Sequence, residues 1–515
     1  MAERSPNADG PPETTPAGKP AGRAKPFPRA KQAVVLVHGM GEQRPMDTIK
    51  GFVKTVWQLD PDVHRGGVSD PEAVWSKPDE RAGSLELRRI TTRDSRRSPG
   101  AFKNGVRSDF YELYWADLTG GTPWEEFRAW LATLLWRNPR RNVPARLRSA
   151  WLALWLVTLA FGLIGLWAAI PPETQLPFGI ALPDAGGWRW LILPVIAAGT
   201  VALHREVQKG FGRVARYTRA TPSNIAARKA VRERGLALLQ ALHDDEDYGR
   251  IILVGPSLGS ILAYELLAFF WARQGAARRM REGTPEFEAL QRLECAAAGL
   301  ETEPDNVLRL AAWDEAQRDL RRRLAARPLE TGTRWILSDL VTVGSPLAHA
   351  EFLIAADRTD LERRQVEREM PIAPPVREPL EPGNEKAARA SGGFPMPDDP
   401  TMPACLFSFP MRDEAKCWEL HHAAPFAAVR WANLHDPARF ILFGDLISGP
   451  LRPVLGPAIE DIDLAALRGP ASHFTHSRYW HPEADGAALA ALRRAINLLD
   501  EPRARLSTAK GAEPR

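Results

Sequence analysis

Cysteine is scarce in this chain. Only Cys295, Cys405 and Cys417 occur among 515 residues. An odd and sparse set argues against a disulfide framework and fits a reducing compartment. None of the three stands at metal-ligand spacing, and neither a Cys-x-x-Cys pair nor a His-Glu-x-x-His run occurs. No metal and no cofactor are therefore expected. An excess of one charge is also missing: the formal net charge is +5. With no zinc-finger, RNA-recognition or basic-zipper pattern, nucleic acid is not an expected partner. Residues 1–30 lack the apolar stretch of a secretory signal. They are rich in proline, alanine and charge (Pro11, Pro12, Pro16, Pro20, Pro26, Pro28) and are expected to be a disordered tail. No internal repeat is present. What the chain does have is 44% hydrophobic and 25% charged residues. That is ordinary globular composition, enough for one large domain with insertions or for two domains.

The most informative segment is Ile251-Ile-Leu-Val-Gly255-Pro256-Ser257-Leu258-Gly259. A β-prone apolar run ends in Gly-x-Ser-x-Gly, and a helix-forming stretch follows from Ser260. In that setting the glycines permit a sharp reversal, and the serine is thrust out over the positive end of a helix. Ser257 is the expected nucleophile.

Near the N-terminus, Ala33-Val-Val-Leu-Val-His38-Gly39-Met40-Gly41 is a second buried-strand run, ending in His-Gly-x-Gly. A stripe of Ile49, Phe52, Val53 and Val56 marks a helix after it. With these two motifs the chain resembles the α/β-hydrolase superfamily, in particular its serine esterases and lipases. The resemblance implies an oxyanion hole made by the backbone N–H groups of Met40 and Leu258, with His38 and Gly39 lining the site. It also implies the chain order serine, acid, histidine, so His38 is not the expected base.

The family carries its base histidine shortly before a Tyr-Trp pair and a final helix. Here His476 precedes Tyr479-Trp480, and Leu489, Leu492, Ile496 and Leu499 mark the helix. His476 is the expected base, with His473 and His481 as rivals. For the acid two aspartates stay open. Asp436 follows the strand-like run Phe426–Leu434 most closely. Asp445, in Asp-Leu-Ile-Ser-Gly-Pro, looks more like the family's acid turn and is preferred, although its distance from Asn433 is longer than usual. A further apolar run, Leu340–Val343, ends in Gly344-Ser345-Pro346, and Ser345 is expected to line the site.

An uncharged run, Trp151 to Ile170, would span about 30 Å as a helix, the thickness of a bilayer core. A shorter one, Trp188 to Leu203, follows after Pro171-Pro172. Arg137, Arg140, Arg141, Arg146 and Arg148 precede the pair, and Arg205, Lys209, Arg213, Arg216 and Arg219 follow it. The segment from Pro171 to Gly187 has no Lys or Arg. This bias places both flanks in the cytoplasm and predicts a membrane hairpin.

The expected organisation is a doubly wound, mostly parallel α/β sheet of α/β-hydrolase type. Its first half lies in residues 31–148 and its second in 206–505. The hairpin, residues 149–205, is inserted between them. A helical insertion is expected at about 275–334, a stretch at about 358–402 that starts as a charged helix and becomes a Pro/Gly-rich lid or disordered segment, and a tail at 506–515. The expected function is that of a serine hydrolase anchored in an inner membrane of bacterial type, with its catalytic domain in the cytoplasm. It would cleave carboxylic esters, lipid esters among them. An acyltransferase or thioesterase with the same triad, and an inactive membrane scaffold, are the alternatives. Protein partners are not indicated.

Overall fold

The computed structural model describes residues 31–39, 44–98, 102–119, 222–399, 401–437, 444–445, 447–468, 476, 478–481 and 486–506, with scattered positions between 136 and 166. Among the described residues, eight strands form the main sheet. They are β1 (Lys31–Val37), β2 (Val74–Lys77), β3 (Arg89–Asp94), β4 (Arg107–Leu113), β5 (Tyr248–Pro256), β6 (Leu337–Val343), β7 (Arg430–His435) and β8 (Glu460–Asp463). Their order across the sheet is β8-β7-β6-β5-β1-β4-β3-β2. Only β3 runs against the others.

The central strands are apolar without interruption because both faces of the sheet are covered. On β1, Ala33, Val35 and Val37 join one core, while Val34 and Leu36 join the other. The first face carries α2 (Pro222–His243) and α3 (Leu258–Arg273), and the second carries α1 (Asp47–Val53) and α6 (Gly486–Ile496). The apolar stripe read from the sequence beside α1, Ile49, Phe52, Val53 and Val56, is its buried face, and Val231, Leu238, Leu239 and Leu242 are buried on α2.

From β1 the chain passes through α1 and on to β4 on one side. From β5 it passes through α3 to β6 on the other. The carboxyl ends of β1 and β5 therefore flank a point where the winding changes direction, where open α/β sheets place their sites.

The segment about 275–334 is mainly helical. Its helices α4 (Pro285–Thr302) and α5 (Val307–Ala325) start at side-chain caps from Thr284 and Asn306. The stretch read as a charged helix followed by a lid or disorder packs on the core. It holds helices Arg358–Val366 and Pro382–Ser391, and it buries Leu361, Met370, Ala373, Ala388 and Phe394. One strand boundary also differs from expectation. The run Phe426–Leu434 begins in a 3-10 turn, Pro425–Ala427, that leads into β7.

The tails at 1–30 and 507–515, and nearly all of the expected hairpin, lie outside the described residues. Among the described residues no helix is long and apolar enough to cross a membrane. Leu152, Leu156, Leu159, Leu163 and Leu166 are described. They are helical and each is more than half exposed.

Candidate active site

Ser257 occupies the turn between β5 and α3 with φ 50° and ψ −130°, a conformation that costs strain for a residue with a side chain. Its neighbours explain how the turn is reached. A Cβ on Gly255 would lie 2.6 Å from Ser260 Cα, and one on Gly259 would lie 2.1 Å from the Val37 carbonyl oxygen. Only glycine fits at either place. The Ser257 N–H donates to the Val343 carbonyl at 2.8 Å, which ties the elbow to the end of β6.

His476 bridges two side chains. Its Nε2 lies 2.8 Å from Ser257 Oγ and its Nδ1 lies 2.9 Å from Asp445 Oδ2. An ionised carboxylate only accepts, so Nδ1 carries the proton and Nε2 accepts from the serine hydroxyl. Asp445 is fully buried. Burial pushes its carboxyl up, but the bond and charge of His476, the Tyr479 phenol and the Ile447 N–H outweigh burial and hold it below the usual aspartate value. Tyr479 OH donates to Oδ2 at 2.7 Å and Ile447 N–H to Oδ1 at 2.9 Å.

The other aspartate has a different position. The Asp436 carbonyl accepts from the Asp445 N–H at 2.8 Å, and Pro437 pairs with Asp445 in a short parallel bridge. Asp436 thus holds the main chain of the residue that faces the histidine. Asn433 is structural: its amide donates to the Gly449 carbonyl and to Asp461, at 3.0 and 2.7 Å. His481 is exposed at the surface, and His473 lies outside the described residues.

With this geometry in place, comparison can be made with known proteins. The chain matches no family model, no curated protein and no solved structure.

Leu258 opens α3, where the first N–H groups have no acceptor within the helix and the positive end of the dipole faces the serine. Met40, the other expected oxyanion donor, lies outside the described residues. Gly39 does come up to the elbow: a Cβ there would be 3.0 Å from Ser257 Cβ.

His38 turns away from the serine. Its Nε2 accepts the Trp115 N–H at 3.0 Å, and the Trp115 indole N–H donates to the His38 carbonyl at 3.0 Å. The rings stack at 5.0 Å. With Nε2 accepting, Nδ1–H donates to the Gly39 carbonyl at 2.8 Å. His38 shapes the turn that carries Gly39, as a neutral imidazole.

Ser345 lies behind the elbow. Its hydroxyl is 2.7 Å from Ser260 Oγ, which donates to the Ser257 carbonyl at 2.6 Å. Because the Ser260 proton is committed to that carbonyl, Ser345 donates to Ser260. The expected site-lining residue is thus a brace for the strained turn.

Sequence reasoning missed Ser260, Tyr479 and Gly344 as parts of the site. Gly344 has φ 61°, and a Cβ there would be 2.8 Å from the Tyr479 ring, 3.1 Å from Asp445 Oδ2 and 3.3 Å from His476 Nδ1. The signals were in view, since Tyr479 and Gly344 stand in motifs already singled out. Nothing local in those motifs says which distant group they meet. Among the described residues, no His, Cys, Asp and Glu cluster could hold a metal.

Proposed function

We propose that the protein is a serine ester hydrolase of the α/β-hydrolase type. The observation that carries this reading is His476, in hydrogen-bond contact with Ser257 on one side and Asp445 on the other. The mostly parallel sheet, with Ser257 on its strand-to-helix turn at the winding switch, supports it.

In the proposed reaction Ser257 Oγ attacks the ester carbonyl carbon, and His476 Nε2 takes the hydroxyl proton. Asp445 holds the imidazole with Nδ1 protonated and stabilises the imidazolium. The oxyanion is met by the Leu258 N–H and, by the resemblance, the Met40 N–H. Each such donor lowers the barrier by roughly 3–4 kcal/mol. Collapse expels the alcohol, which takes the proton from His476, and leaves an acyl group on Ser257. Water then attacks that ester with His476 as base, the acid leaves, and the serine recovers its proton.

The hairpin reading remains part of the proposal. A helical run that is apolar all round belongs in a membrane or a core, and the leucines at 152, 156, 159, 163 and 166 are not buried in this chain. Five arginines precede them. A hydrolase held at a bilayer in this way meets lipid esters at high local concentration, so these are the proposed substrate class.

The test is labelling by a fluorophosphonate probe and hydrolysis of a p-nitrophenyl ester, with wild-type protein and Ser257→Ala. Wild type should label and turn over, and the variant should do neither at an unchanged melting temperature. Labelling of both to the same extent would place the nucleophile elsewhere.

A further inference from the structure

We propose that Tyr479 is a positioning residue of the triad, whose phenol holds the Asp445 carboxylate ionised and aimed at His476. This rests on the hydrolase reading of Ser257, His476 and Asp445.

The same carboxylate oxygen serves both partners. Asp445 Oδ2 accepts from His476 Nδ1 at 2.9 Å and from Tyr479 OH at 2.7 Å. The remaining oxygen, Oδ1, accepts the Ile447 N–H at 2.9 Å. A carboxylate with no exposed surface depends on such donors, because desolvation alone would drive it to take up a proton. Histidine and the main chain supply two of the contacts, and the phenol supplies the third.

Tyr479 is fitted to remain a donor. Burial, then the charge of Asp445, lifts the phenol well above its usual value, and the Asp436 charge acts in the same direction. The phenol is therefore neutral at any working pH. Since its proton goes to Asp445, the Ser448 hydroxyl 3.2 Å away donates to the phenol oxygen. Serine to tyrosine to aspartate is a directed chain that ends on the group holding the base.

Backbone geometry makes room for this arrangement. Gly344 brings no side chain to the point where the phenol ring, the carboxylate and the imidazole converge. Tyr479 and His476 share one short loop. That loop is pinned to the α1 side, where the Trp480 carbonyl accepts from the Thr55 hydroxyl at 2.8 Å and the Trp480 ring meets Phe52 edge-on. The element that delivers the base thus delivers the support for its acid. A phenol needed only for packing could have been satisfied by Ser448 alone.

The experiment compares wild type with Tyr479→Phe on a p-nitrophenyl ester from pH 5 to 9. Fluorophosphonate labelling and thermal melting are measured alongside. The variant should still label at Ser257, with kcat reduced about tenfold, as for loss of one hydrogen bond to a charged group, and KM unchanged. With one donor fewer, the Asp445 carboxylate places more of its charge on His476 Nδ1–H and favours the imidazolium, so the acid limb of kcat, which reports the histidine base, should move upward by about one pH unit.

An unmoved acid limb with unchanged kcat, or a change confined to KM, overturns the role. If Tyr479→Phe melts early, 3-fluorotyrosine at position 479 decides. It keeps the ring and is a stronger donor, so the acid limb should move down. An unmoved limb there also overturns the role. Wild-type protein that fails to label overturns the hydrolase reading itself, a result distinct from a labelled variant with an unmoved profile.

Discussion

Gly259 lies against the end of β1, with the position of its missing Cβ only 2.1 Å from the Val37 carbonyl oxygen. The Ser257 turn is therefore pressed onto the strand that leads into His38 and Gly39. That contact sets how far the Gly39 turn stands from Ser257. Gly259→Ala would force backbone apart from backbone, at a cost of about 3 kcal/mol. Urea denaturation should show that loss, and the folded fraction should label slowly with fluorophosphonate. A variant of wild-type stability and labelling rate would contradict the close contact.

The two aspartates should separate in kinetics. Asp445→Asn removes the acceptor that fixes the Nδ1–H tautomer and should lower kcat by about two to four orders of magnitude with little change in fold. Asp436 contributes its main-chain carbonyl to Asp445, and an asparagine keeps that carbonyl. Asp436→Asn should accordingly retain kcat within about tenfold. Steady-state kinetics at matched folding yield checks both, and the reverse ranking would assign the acid to Asp436.

Glu112 should make stability fall as pH rises. It is buried on β4, and burial lifts its carboxyl to about 7 against a single N–H donated by Met46 at 2.8 Å. The folded value is above the unfolded one. The contribution to stability is therefore complete below the ordinary glutamate range and is lost as pH climbs through about 7. Glu112→Gln removes the titration. At about pH 8 the variant should be the more stable by up to about 3 kcal/mol, and the gap should close near pH 4. Denaturant titrations at both values test it, and an equal difference at the two would exclude Glu112 as the source.

Membrane association has its own test. The protein should fractionate with membranes and stay there through high salt and carbonate, because apolar side chains hold it as well as arginines. A cysteine placed between Pro171 and Gly187 should react with an impermeant reagent from outside, and reporters at both chain ends should report cytoplasm. Release by salt alone would reduce the hairpin to a surface contact.

The parts of the site that depend on neighbours in the chain were legible. Gly255 and Gly259 flank a serine between an apolar strand and a helix, and the turn they make is local, so spacing suffices to read it. The same holds for β1 and β5, whose unbroken apolar runs follow from burial on both faces. The residues from 358 to 399 read as a charged helix followed by irregular Pro/Gly-rich chain. Their apolar side chains are sparse, yet Leu361, Met370 and Phe394 each find the core. Burial of that kind depends on what lies opposite, which no window of sequence contains.

Sequence by itself determined that Ser257 ends a strand and that His476 follows late in the chain. Tertiary structure decided which aspartate meets that histidine, that His38 is spent on Trp115, and that Ser260, Ser345, Gly344 and Tyr479 hold the arrangement. The reason is one of length scale. A hydrogen bond exists only within about 3 Å, while Ser257 and His476 are 219 positions apart in the chain. Residue types and short spacings restrict which groups are able to react. Only the folded packing of distant segments sets the distances at which they do.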